Sequence, residues 1–172
     1  MNETLQTLLE RRSIRSYKEE QVSEDDLNQI LKSGTYAASG AGKQSAVMVV
    51  VQDPETIAKM SKMNAEVMGV TSDPFYGAPT VVVVLADKTA STPVEDGSLV
   101  IGNLMNAAYS LGVSSCWIHR AREVMDSEEG KKMLKGWGLD PEKYIGVGNC
   151  LLGYSDQEGK AAPRKDNYII RG

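Results

Sequence analysis

The chain is predicted to fold as one layered domain, helices packed on a central sheet, and three features of the sequence carry that prediction. Its 172 residues fall within the ordinary span of a single domain. Segments with apolar residues at helical spacing alternate along it with short β-branched runs, a pattern that layers helices over a sheet. Its 41% hydrophobic and 24% charged residues are the balance of a globular protein, neither disordered nor fibrous. A domain of this size buries about 70% of its unfolded surface, so a sizeable core forms without disulfide staples.

A first helix is expected over Glu3 to Arg11, where Leu5, Leu8 and Leu9 share one face. A second begins after Ser23, whose hydroxyl can cap it with Asp26 three residues on, and it buries Leu27, Ile30 and Leu31 before Gly34 weakens it. Tyr36 to Ser45 is small and glycine-rich, either a loop where backbone approaches something closely or a flexible connection. Ala46 to Gln52, a run of valines with Met48, reads as a buried strand. Asp53 and Pro54 cap and open a helix to about Val67. Beyond a loop through Asp73, Pro74 and Gly77, Pro79 to Ala86 is a second buried strand. Thr92 and Pro93 lead into the longest helix, Glu95 to Leu111, which Gly112 stops. Val113 to His119 is a third strand, Ser127 to Lys135 a helix, and Ile145 to Tyr154 a fourth strand. The polar tail, residues 155–172, carries Pro163 and a short Tyr168 to Ile170 segment. It has too few apolar groups to fold alone, so it lies on the body or on a partner. Phe75, Tyr76 and Trp137, with Met60, Met63, Met68 and Met105, are assigned to packing.

Nineteen basic against 23 acidic residues leave a net charge of −4. No global basic field exists to condense on nucleic acid or anionic lipid, so any anion site must be local. The apolar runs fall far short of the roughly 20 residues that span a bilayer. Met1 to Glu10 lacks the cationic start and apolar middle of a signal peptide, and a cytoplasmic location is expected, with neither nucleic acid nor membrane as partner. Cys116 and Cys150, each within an apolar stretch, read as buried free thiols suited to a reducing compartment.

The sole histidine is His119, which leaves a Ser-His-Asp triad or a His-rich metal site little to work with. Ala41-Gly42-Lys43 resembles the end of a phosphate-binding P-loop, but Ala37 replaces its first glycine and Gln44 its Ser or Thr. No strand-to-helix turn carries GxGxxG. The strongest local signal is Arg11-Arg12-Ser13-Ile14-Arg15, three guanidinium groups and a hydroxyl in five residues. Such charges repel unless an anion or carboxylate neutralises them. A second basic pair, Arg164-Lys165, could converge with them on one dianionic group; a solvated helix end and a soluble tail is the alternative.

Arg11-Arg12-Ser13-Ile14-Arg15-Ser16-Tyr17, then Ala38 to Gln44, then Phe75-Tyr76-Gly77-Ala78-Pro79 before a valine strand, resemble in content and order the FMN-dependent nitroreductase family, in its short single-domain form. Asn103 to Ala108, Leu111 to Ile118, and Leu152-Gly153-Tyr154 followed by Pro163-Arg164-Lys165 resemble its later motifs. The resemblance implies an α+β three-layer sandwich over residues 1–172, a mixed, mostly antiparallel sheet flanked by helices. It also implies a homodimer with the Glu95 to Leu111 helix at its seam and the 155–172 arm exchanged between subunits.

By the same resemblance, Arg11 and Ser13, with Arg164 and Lys165, hold the FMN phosphate. Arg12 helps there or at the ribityl chain, and Arg15 reaches the ring. Ser39, Lys43 and Gln44 approach the flavin from the other subunit, and Asn64 matches a further contact. Trp117, Ile118, His119 and Arg120 match the strand end whose backbone faces flavin N5. The sequence departs from the family pattern at Ala38 for a proline, Gly42 for an asparagine, and Ser45-Ala46 for a Pro-Trp pair. The implied activity is ping-pong transfer of hydride from NADH or NADPH through flavin N5 to a nitroaromatic, quinone or similar acceptor, with no side-chain nucleophile. The rivals are a flavin-binding sensor or storage module without turnover, and a nucleotide-phosphate binder using Lys43.

Overall fold

Capping chemistry sets most of the helix boundaries. In the computed structural model, which describes residues 1–172, Asn2 accepts the Leu5 N–H at the start of α1 (Glu3–Glu10). Ser23 accepts the Asp26 N–H at the start of α2 (Glu24–Gly34). Asp53 accepts the Thr56 N–H at the start of α3 (Pro54–Met68), whose first residue is a proline and whose end is closed by Gly69 in the left-handed region. Pro93 likewise opens α4 (Pro93–Ser110). Two short helices follow, α5 (Ala121–Asp126) and α6 (Glu128–Gly136), the second capped by Ser127.

Four strands, β1 (Ala46–Val51), β2 (Thr80–Asp87), β3 (Ser114–Ile118) and β4 (Tyr144–Gly153), form one sheet in the order β1-β2-β4-β3. Every ladder is antiparallel; the parallel element is the bridge between Ser13 and Ser115. The alternating faces of β2 divide the core in two. Val82, Val84 and Ala86 pack under α2 and α4 with Ile30, Ile101, Leu104 and Leu152. Val81, Val83 and Leu85 pack on the other side with Met60, Phe75, Met125, Leu134 and Leu151. The result is the three-layer α+β sandwich that the sequence predicts.

Several expectations are corrected. β1 is an edge strand, and of its six residues only Val51 is buried. Helix α5 is absent from the sequence reading. Tyr76 and Met68 stand at the surface, whereas Phe75 and Met60 are core. The apolar face of α1 has no cover within the chain: Leu5, Leu8 and Leu9 are 50%, 53% and 59% exposed. The expectation that the 155–172 tail lies on the body or on a partner is unaltered: in the single chain it has no regular secondary structure, and Tyr168, Ile169 and Ile170 are exposed. The protomer exposes 10155 Å², about 1,900 Å² more than a compact monomer of its mass. No helix is long and apolar enough to cross a membrane.

Candidate functional site

Where α1 ends, Arg11 turns the chain into an extended strip that runs beside β3. Ser13 bridges Ser115, the Ile14 N–H donates to the Ser115 carbonyl at 3.0 Å, and the Lys18 N–H donates to the Tyr154 carbonyl at 2.9 Å. Extended backbone sends alternate side chains to opposite sides. Ile14 is buried while Ser13 and Arg15 remain accessible. Two further bonds pin the strip: the Tyr17 hydroxyl donates to the Ile14 carbonyl at 2.8 Å, and the Arg15 N–H donates to Gln157 Oε1 at 2.7 Å. Burial drives the Tyr17 phenol far above its ordinary pKa, which keeps it a donor.

None of Arg11, Arg12 and Arg15 pairs with a carboxylate; the ion pairs of the protein involve other cations. Arg11 Nη1 and the Ser115 hydroxyl are buried without any partner. Both residues line a pocket of about 340 Å³ with Ser114, Gly159 and two carboxylates, Glu158 and Glu10, the second bonded to Tyr109. A buried charged donor left without an acceptor is destabilising by several kcal/mol, and an anion's oxygens would relieve it. Arg12 lines the same pocket, but its guanidinium is already engaged. Its Nη1 donates to the Leu9 and Arg11 carbonyls at 2.7 and 2.6 Å, closing the C-terminus of α1. Ser115 is a candidate that sequence reasoning missed, because a serine within a strand motif carries no sign that its hydroxyl is orphaned.

Burial raises the pKa of Cys116, and Arg15, the Ser13 hydroxyl and Arg11 each counter that push, so all three lie around this thiol. Cys150 is pushed up to about 12 by burial. Both thiols are free and buried, as expected, and both stay protonated at neutral pH.

At the far end of β3, Trp117 packs over Gly148, where a Cβ would lie 2.4 Å from the indole nitrogen. Ile118 is buried, and His119 and Arg120 are exposed. Arg120 has a left-handed backbone (φ 76°) and pairs with Glu123 at 2.9 Å. Neither His119 nor Arg120 donates its N–H to a backbone carbonyl, so the strand end presents two free donors. Asn64 is fully buried in the packing of α3; its amide donates to Met68 Sδ at 3.3 Å and its carbonyl oxygen has no partner. It does not line the arginine pocket.

The glycine-rich loop contains a 3₁₀ turn at Gly40–Gly42 and two non-glycine residues with left-handed backbone, Ala41 (φ 50°) and Gln44 (φ 51°). Ser39 Oγ accepts the Gln44 N–H at 3.0 Å, closing the loop, and Lys43 and Gln44 are exposed. This loop enters β1 opposite Ala86, whereas Ser115 lies level with Leu152 and Thr80. The two are therefore about 20 Å apart along the strands and about 14 Å apart across the sheet, too far to touch one phosphate within a protomer. Arg164 donates to the carbonyl of Ala162, two residues back, and Lys165 lies over the Tyr168 ring at 5.1 Å. Neither lines the Arg11 pocket in the single chain. A larger apolar groove of about 840 Å³, between α3 and residues 70–79, contains none of the expected contacts.

The model of the nitroreductase family matches residues 8–154. A protein of Archaeoglobus fulgidus, with the provisional name NADH dehydrogenase/NAD(P)H nitroreductase, is 34% identical over 163 residues, covering 92% of this chain and 88% of its own. The crystal structure of a Bacteroides fragilis nitroreductase with bound FMN is similar over 100% of both chains, at 28% identity and a TM-score of 0.91. A Desulfitobacterium hafniense nitroreductase, also with bound FMN, is similar over 100% of this chain and 99% of that one, at 26% identity and a TM-score of 0.89.

Proposed function

The chain belongs to the nitroreductase family, and from that premise we propose that it is an FMN-dependent NAD(P)H oxidoreductase, a homodimer with two shared active sites. The observation that carries this reading is the strip of arginines without carboxylate partners, beside a buried guanidinium nitrogen and a buried Ser115 hydroxyl that also lack one. That donor set fits a phosphate. Bound there, FMN would supply the redox chemistry, accepting hydride from NADH or NADPH at N5 and passing electrons to a nitroaromatic, quinone or similar acceptor in a ping-pong cycle.

The chain's own residues bind and orient. Arg11 and Ser115 hold the phosphate from the pocket they line, and Ser13, Arg164 and Lys165, which lie outside that pocket in the single chain, are its further contacts. Arg12, engaged with two carbonyls, fixes the end of α1 and so the start of the strip. Arg15 supplies a fixed positive charge near the ring, where negative charge grows on reduction. The free N–H groups of His119 and Arg120 are donors toward the ring edge. No nucleophile is required, and the protonated thiols supply none.

The shared site is supported by the separation of the arginine strip from the Ser39–Gln44 loop, which a second copy would close. The uncovered leucines of α1, together with Leu99 on α4 at 50% exposure, supply an apolar face for that copy. The surface excess of about 1,900 Å² per protomer, about 3,800 Å² for two, falls in the range that an obligate dimer buries.

The visible spectrum of the purified protein tests the reading. A yellow protein, bleached by NADH or NADPH without oxygen and recoloured by an acceptor, is the expected result. A colourless protein that ignores added FMN in a binding titration overturns it.

A further inference from the structure

Asp96 is the only buried carboxylate in the chain, 3% exposed, and no cation pairs with it. Three neutral donors do. Its Oδ1 accepts the Gly40 N–H and the Thr92 hydroxyl, both at 2.9 Å, and its Oδ2 accepts the Ser45 hydroxyl at 2.5 Å. It stands in the first turn of α4, where the helix end favours a negative charge. Gly40 and Ser45 bracket the glycine-rich loop, so one carboxylate ties both ends of that loop to α4. The fit is close: a Cβ on Gly40 would lie 2.1 Å from Thr92 Oγ1, so any larger residue at position 40 would have to displace the Thr92 hydroxyl from Asp96.

Between the anchors the loop is held only to itself, by the Gly42 N–H to the Ser39 carbonyl, the Lys43 N–H to the Gly40 carbonyl and the Gln44 N–H to Ser39 Oγ. Ala41 to Gln44 are exposed, and Ala41 and Gln44 keep a left-handed backbone that persists only where the surroundings impose it. The family pattern described above puts a proline where this chain has Ser45. A proline stiffens a loop through its ring; here a hydroxyl bonded to a buried carboxylate does so.

We propose that Asp96 is the positioning residue of the Ser39–Ser45 loop, acting through Gly40 and Ser45 to present Lys43 and Gln44 to the flavin of the neighbouring protomer. This rests on the proposed function, because it takes the loop to be a flavin-contacting element. Asp96 itself touches no cofactor. Lys43, unpaired with any carboxylate, then brings its charge to the ring only while the loop is tied down.

Two variants test it, Asp96→Asn and the milder Ser45→Ala, which removes a single bond. In flavin-free protein, trypsin cleavage after Lys43 should quicken several-fold relative to cleavage at other sites. In protein saturated with FMN, the reduction potential should fall, since a loosened cation stabilises the reduced form less. A role confined to general stability would change how much flavin is bound but not the potential of what is bound. Unchanged cleavage at Lys43 and an unchanged potential in both variants overturn the proposal, and Ser45→Ala decides alone if Asp96→Asn does not fold. If wild-type protein binds no flavin, the functional reading falls by itself. Cleavage then judges the anchor: faster cutting upholds it and unchanged cutting overturns it.

Discussion

The backbone N–H of Ile14 donates to the carbonyl of Ser115 at 3.0 Å, and this bond sets which way the neighbouring arginines face. With Ile14 committed to the core, Ser13 and Arg15 are turned out of it, while Arg11 enters the pocket that Ser115 lines. A register slip of one residue would exchange the two sets.

Arg11→Ala should weaken FMN binding about 10- to 100-fold, the range for losing a charge-assisted contact. Riboflavin, which lacks the phosphate, should bind both proteins alike. Fluorescence titration of each flavin measures this, and an equal loss for both would place Arg11 away from the phosphate.

Arg15→Ala, fully loaded with flavin, should show a lower reduction potential than wild type, because a fixed cation near the ring favours the reduced, more negative form. Spectroelectrochemistry reads the shift directly. An unchanged potential removes Arg15 from the ring's surroundings.

Acid should loosen the Asp96 anchor. The Ser45 hydroxyl first and the Gly40 N–H next hold the Asp96 pKa below its ordinary value, outweighing burial. A carboxyl lowered on folding contributes its full stabilisation above the unfolded pKa of about 3.9 and loses it as pH falls through the lower folded value. Wild-type protein should therefore lose more stability between neutral pH and about pH 3 than Asp96→Asn does. The surface carboxylates Asp53, Asp87, Glu123 and Glu129 shift in the same direction but are common to both proteins. Urea midpoints across that range supply the comparison, and parallel curves would count against it.

Ala41→Gly should stabilise the fold by about 0.5–1 kcal/mol. A left-handed alanine is strained by about 1–2 kcal/mol, and glycine's freedom in the unfolded chain offsets part of the gain. Thermal unfolding with matched flavin content checks the sign.

Leu8→Glu should convert a dimer into monomers. Leu8 is 53% exposed in the protomer, and burying a leucine contributes about 1.5–3 kcal/mol, whereas a buried unpaired carboxylate opposes association. Light scattering of both proteins at one concentration measures the outcome.

Elements marked by both a cap and a period were legible in the sequence: α2, α3 and α4 lie within two residues of expectation, and the valine-rich β2 is buried as predicted. Helix α5 was not, since it has six residues and is entered by Arg120, a residue type that announces no cap. β1 and β2 are both valine runs, and only the pairing order leaves one at the edge. Likewise, helical spacing identifies the leucine face of α1 but not the surface that covers it. At the site, the density of three arginines in five residues raises an anion beside a solvated helix end, and does not choose between them. The Asp96 anchor joins residues 51 and 56 apart in sequence, and the orphaned Ser115 hydroxyl is defined by what surrounds it, so neither leaves a local trace.

The placement of the arginine strip and the glycine-rich loop at opposite corners of the sheet has a genetic consequence. A protomer crippled at Arg11 and another crippled at Lys43 would each form inactive dimers with themselves. When co-expressed, their mixed dimers would carry one site with both defects and one with neither. Random assortment in a two-fold assembly then restores about a quarter of full activity from two null alleles.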